Sequence, residues 1–166
     1  MSLQRPLWRI VTKRRDTYKA RVYRAENVLP RSPGLEGIRG AQEYVDKLLR
    51  SAWWKKRFPG VTALTVHPSN RTFAHTVYAD REIYLPRAAQ NLVILSHELA
   101  HIGTDFFEEQ EKPKMGWPDH GEEFIVTLLA MIHHTLGFDR ANALKAALDR
   151  EKIPWREAMK SARVFP

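Results

Sequence analysis

Residues 88–103 read AAQNLVILSHELAHIG, and this stretch decides the fold. Leu92, Val93, Ile94 and Leu95 run together, and Leu99, Ala100 and Ile102 follow at helical spacing. An apolar run with no Gly or Pro before Gly103 predicts a helix buried on several sides. Inside it stands His97-Glu98-Leu99-Ala100-His101. Positions i and i+4 share one face of a helix, a turn apart, so both imidazoles can reach one metal ion. Zinc takes histidine nitrogens at about 2.0–2.1 Å. Glu98 is placed to reach a water on that metal and take its proton, rather than to bind the metal itself. Two histidines and a glutamate are costly in an apolar helix unless a metal or polar partners satisfy them.

A catalytic zinc commonly has three protein ligands and one open position, so a third ligand is needed. The metzincin pattern would put Gly at 104 and His at 107, where this chain has Thr104 and Phe107. Three candidates stand. His120 opens the next helical stretch. Asp105 is i+4 from His101 if the helix continues past Gly103. Glu122 or Glu123 would serve as a carboxylate ligand. His133 and His134 lie too far along the same helix as His120 to share its ion. His67 and His75 fall on strand-like segments and read as structural or surface residues.

Working outward, residues 16–29 predict a helix, with Tyr18, Val22, Ala25 and Leu29 in a stripe and Asp16 as N-cap. Pro30, Pro33, Gly34, Gly37 and Gly40 mark a loop, and residues 41–57 predict a second helix. Three short β-like runs follow at 61–67, 73–79 and 81–85. Their close spacing predicts an antiparallel meander, with Pro86 placing the third run at an edge or a strand end. Residues 104–118 read as an acidic loop. Helices are expected at 120–136, with Asp119 and Glu122 as a capping box, at 140–151, and briefly at 155–162. The sum is an α+β fold with a small antiparallel three-stranded sheet packed with helices.

His120-Gly121-Glu122-Glu123-Phe124 resembles the H-G-x-E-F segment that follows H-E-x-x-H in SprT-like and Spartan-like zinc metalloproteases. Over about residues 15–150, the chain is also similar to a family of HExxH metallohydrolases of actinobacteria and their phages. The matching pieces are Arg21-Val22-Tyr23, 41–45, 53–61, 83–86, 97–101 and 120–124. The resemblance implies a zincin-like fold and a zinc peptidase acting on a protein or peptide. By it, His97, His101 and His120 are the ligands and Glu98 the general base. Position 122 is Glu where Spartan-like proteins frequently have Pro, and the acidic segment 104–118 is peculiar to this chain. Tyr84, His75 and Tyr78 are candidates by residue type for a donor to the transition state. The run 81–85, as an edge strand, would receive an extended peptide, and the acidic segment would wall the cleft and favour basic substrates.

With 43% hydrophobic and 28% charged residues over 166 positions, the composition is that of a folded chain, read as a single domain over 1–166. The lack of cysteine excludes disulfides, a thiolate nucleophile and thiolate-bound zinc. No apolar run is long enough to span a membrane, and the N-terminus lacks the apolar core of a secretory signal, so a soluble, cytoplasmic protein is expected. The net charge of +8 is concentrated near the start: residues 1–24 hold eight bases and one acid, with 1–15 read as a basic extension. Such a stretch can contact DNA without sequence preference through its phosphates. The rival reading is accordingly a nucleic-acid-binding or structural module in which zinc only holds the fold together.

Overall fold

The computed structural model describes residues 15–30, 32–111 and 116–162. Readings that fall on residues 1–14, most of the basic extension, lie outside them. Among the described residues the fold is α+β. Helices α1 (Lys19–Asn27), α2 (Gly37–Arg50) and α3 (Ala52–Arg57) precede strands β1 (Thr65–Ser69), β2 (His75–Val77) and β3 (Glu82–Pro86). Helices α4 (Leu92–Gln110), α5 (Glu122–Leu136), α6 (Phe138–Arg150) and α7 (Trp155–Ser161) complete it. The expected second helix is two: the Ser51 backbone turns extended, and its hydroxyl accepts the Trp54 N–H as the cap of α3.

The sheet is mixed, not an antiparallel meander. Its order is β1-β3-β2, with β3 parallel to β1 and antiparallel to β2. Apolar content explains which strand lies in the middle. Ile83 and Leu85 on β3 are fully buried, whereas β2 has no buried residue. The 3-10 turn Tyr78–Asp80 and the left-handed Arg81 (φ 60°) reverse the chain between β2 and β3. β2 and its loops thereby act as the crossover that a parallel β1–β3 pair requires. The third run is therefore not an edge strand; β1 and β2 are the edges, and Pro86 marks a strand end.

Helix α4 is the axis of the molecule. Asn91 caps it, its Oδ1 accepting the N–H of both Val93 and Ile94 at 3.1 Å, a cap that contributes about 1 kcal/mol. The helix does not stop at Gly103. A Cβ there would lie 2.7 Å from Phe58 and 2.9 Å from Thr127, so this glycine permits close packing of α4 against α3 and α5. Residues 104–110, expected as an acidic loop, are two further turns that bury Phe106 and leave Glu109 and Gln110 exposed.

One core lies between α2, α3, the sheet and α4, built on Val45, Trp54, Phe58, Ile83, Leu85 and Leu99. A second lies between α1, α5, α6 and the opposite face of α4, built on Val22, Phe124, Leu128, Ile132 and Leu144. α5 starts from Gly121 with no side-chain cap, so the expected Asp119–Glu122 capping box does not form. α6 likewise starts directly from Gly137. No described helix is long and apolar enough to cross a membrane.

Candidate metal centre

His97 and His101 stand one turn apart on the face of α4 that meets the second core. His120 sits immediately before α5, where the chain turns into that helix. Phe124, one turn into α5, lies beneath all three rings, with centroids at 5.0, 4.4 and 4.8 Å. His97 and His120 are buried and His101 half-buried, and together they form a group that can hold a metal ion. The Nε2 atom of His97 lies 3.1 Å from that of His101 and 3.3 Å from that of His120.

The other ring nitrogens explain those spacings. His97 Nδ1 meets both oxygens of Glu26 at 2.9 Å, and His120 Nδ1 meets Asp16 Oδ2 at 2.7 Å. A carboxylate accepts, so in both rings Nδ1 carries a proton and Nε2 is the nitrogen turned towards the other histidines. Imidazole nitrogens this close are held together by a shared proton or by a cation between them. The edge of a tetrahedron with nitrogens about 2.05 Å from its centre is about 3.3 Å. Two of the spacings match that edge and all three ligand atoms lie within 4.8 Å of one another, so the group could hold a metal ion, with two of its rings oriented by carboxylates in the manner usual for metal-binding histidines.

Burial of His97 works against a charged ring, but the Glu26 carboxylate outweighs it and raises the pKa. Burial prevails at His120, whose pKa is lowered despite Asp16. Tyr23 lies flat on His97, with centroids 5.1 Å apart and planes 16° apart, and also touches the His120 ring. Burial and the nearby charges of Glu98, Glu26, Asp16 and Asp119 push its pKa up to about 12, so it keeps its proton.

Glu98 is 3% exposed, and its Oε2 has no hydrogen-bond partner. Burial, offset by His97 and reinforced by Glu26, raises its pKa to about 7. Glu98 and His97 open onto a cavity of about 600 Å³ between α1, the β1–β2 loop and the first turns of α4.

Of the other expected candidates, Asp105 lies one turn beyond His101 and is not part of the converging group. Glu122 accepts the Ser161 hydroxyl, tying α5 to α7. Tyr84 donates to Glu82, and Tyr78 to Glu109; neither they nor His75 line the cavity. None of the described residues of 104–118 lines it either. Glu109 faces Tyr78 and Arg81, and Glu108 accepts the Trp117 N–H, so the acidic wall is not formed by them. His133 and His134 sit at the far end of α5, where His134 stacks on Trp53 at 4.1 Å. Of the basic residues near the start, Arg24 pairs with Glu151, and Arg21 donates to the carbonyls of Glu151 and Lys152.

Sequence reading passed over Glu26 and Tyr23. Glu26 carried a signal: it is i+4 from Val22 and i−3 from Leu29, on the buried stripe of α1, where a carboxylate needs a partner. Compared with known proteins, the chain matches no protein-family model, no curated protein and no solved structure.

Proposed function

We propose that this chain is a zincin-like, zinc-dependent peptidase, with His97, His101 and His120 as ligands and Glu98 as general base. The observation that carries the reading is the buried, unpartnered Oε2 of Glu98, a residue next in sequence to His97 of the converging group and part of the lining of a cavity. Three neutral nitrogen ligands leave room for a fourth, non-protein ligand, and a nitrogen-only set without thiolate suits zinc. A zinc ion held there supplies Lewis acidity, towards a water and towards the carbonyl oxygen of a substrate.

The chain's own residues do the rest. Glu98 Oε2 takes the proton of the attacking water and delivers it to the leaving amine, a two-way role suited to a carboxyl whose pKa stands at about 7. Glu26 and Asp16 hold the ligand rings in the tautomer that presents Nε2. Tyr23, stacked on His97 at the cavity, is the donor best placed for the developing oxyanion. The substrate backbone runs along β2, the edge strand continuous with cavity residues Thr72, Phe73 and Ala74.

The test pairs metal content with turnover on a mixed peptide library. Glu98→Gln keeps one zinc per chain and loses hydrolysis by about 10²- to 10⁴-fold. A variant as active as the parent refutes the general base. A zinc-loaded parent that cleaves nothing favours the rival, a zinc that only holds the fold together.

A further inference from the structure

We infer that the cavity beside Glu98 is a side-chain pocket selecting a large apolar residue next to the scissile bond; this rests on the peptidase reading. The cavity, about 600 Å³, is within the size range of ligand-binding pockets. It shares Glu98 and His97 with the metal centre, so a residue filling it holds its own backbone against the reacting groups. Its walls are chiefly apolar, formed by Leu29, Pro30, Phe73, Ala89, Val93 and Ile94.

Several of the polar groups around it are already engaged within the protein. Both Glu26 oxygens face His97 Nδ1. Asn91 Oδ1 accepts two backbone N–H groups of α4 and meets the Ser32 hydroxyl. No Lys or Arg is among the described lining residues, and the charged groups present are Glu26 and Glu98. An acidic side chain would meet like charge there, and a basic one would compete with His97 for Glu26. An apolar side chain leaves every one of those bonds intact and buries apolar surface.

Phe73 supplies an independent pointer. At 74% exposure it is the most exposed large hydrophobic residue described, and it stands at the rim of this cavity. Tyr23, 36% exposed, lines the same cavity. Phe73, an exposed ring at the opening, is suited to cover a bulky substrate side chain, with the Tyr23 ring lying against His97 in the same cavity.

The experiment uses the full chain, zinc-loaded, as Glu98→Gln for binding and as the parent for cleavage. The probes are blocked pentapeptides, identical except for a central Phe, Leu, Ala, Lys or Glu. Calorimetry of the Glu98→Gln protein should show Phe and Leu peptides binding about tenfold more tightly than Ala, with Lys and Glu no tighter than Ala. Adding Phe73→Ala should remove most of that preference while leaving the zinc content unchanged, and its exposure makes misfolding a poor explanation of any loss. Equal affinities across the five peptides, a preference for Lys, or a preference that survives Phe73→Ala overturns the pocket. The two readings separate cleanly. Apolar-selective binding with no cleavage by the parent keeps the pocket and removes the hydrolysis; cleavage without side-chain preference does the reverse.

Discussion

Two of the histidine groupings among the described residues differ in kind: one converges and the other does not. On the sheet, His67, Tyr84 and His75 share one register row across all three strands. Their rings stack side by side, 5.0 and 4.7 Å between centroids, and His67 Nε2 reaches Glu82 at 3.3 Å. Neighbouring strands repeat at about 4.8 Å and project their side chains in the same direction, so rings in a row line up in parallel. At α4 the histidines come from one helical turn and from the entry of a second helix, which brings one ring nitrogen of each within 4.8 Å of the others. Counting histidines does not separate the two groups. What does is the direction of each ring and the carboxylate behind it: Glu26 and Asp16 fix two of the converging rings through Nδ1, leaving Nε2 to face a shared centre.

The sharpest way to break this contrast is to remove a converging ring. His120→Ala, assayed by elemental analysis after dialysis, should lose stoichiometric zinc; full occupancy at unchanged affinity would move the third ligand elsewhere. Next in size is the carboxylate behind a ring. Glu26→Gln or Asp16→Ala should weaken zinc by about 10- to 100-fold in a competition titration against a chelator. Affinity equal to that of the parent would mean that the carboxylates merely pack. Metal itself should stabilise the converging group's half of the protein. At zinc about 100-fold above its dissociation constant, the gain is ~2.7 kcal/mol, or roughly 5–10 °C in Tm. A melting curve indifferent to chelator would contradict a site preformed in the folded chain. The smallest effect belongs to the sheet row: His67→Gln and His75→Gln should leave zinc content untouched and change stability by no more than about 0.5 kcal/mol. Loss of zinc from either would erase the distinction.

The helix bearing His97, Glu98 and His101 was legible because i,i+4 spacing is a local property of the chain. His120 became legible through the His-Gly start of the next helix, although residue spacing alone left Asp105 and the glutamates in contention. The carboxylates behind the rings were not. Asp16 is 104 positions from His120, and Glu26 is 71 from His97, and no local pattern encodes either pairing. Asp16 was readable only as a helix cap, a position that Tyr18 holds instead, with Asp16 accepting the N–H groups of Tyr18 and Lys19 at the helix entry. The sheet order was hidden for a different reason. Three short runs separated by turns suit a meander, and only the burial of Ile83 and Leu85 reveals that the last strand must lie in the middle. Gly103 misled in the same way: a glycine near an apparent helix end signals a stop, but here it makes room for Phe58 and Thr127.

Asp16 limits how far this chain can be shortened. One of its oxygens accepts the backbone N–H of Tyr18 and Lys19 ahead of α1, while the other holds His120. A fragment designed around the two motifs, starting at α4, would retain all three converging histidines and Glu98 yet discard both orienting carboxylates together with Tyr23. Even a cut just inside α1 would leave that helix without its leading acceptor and His120 free to turn. Asparagine is no substitute, because its single oxygen can serve the helix or the imidazole but not both. The shortest chain that keeps both orienting carboxylates is thus much longer than the motif and includes Asp16.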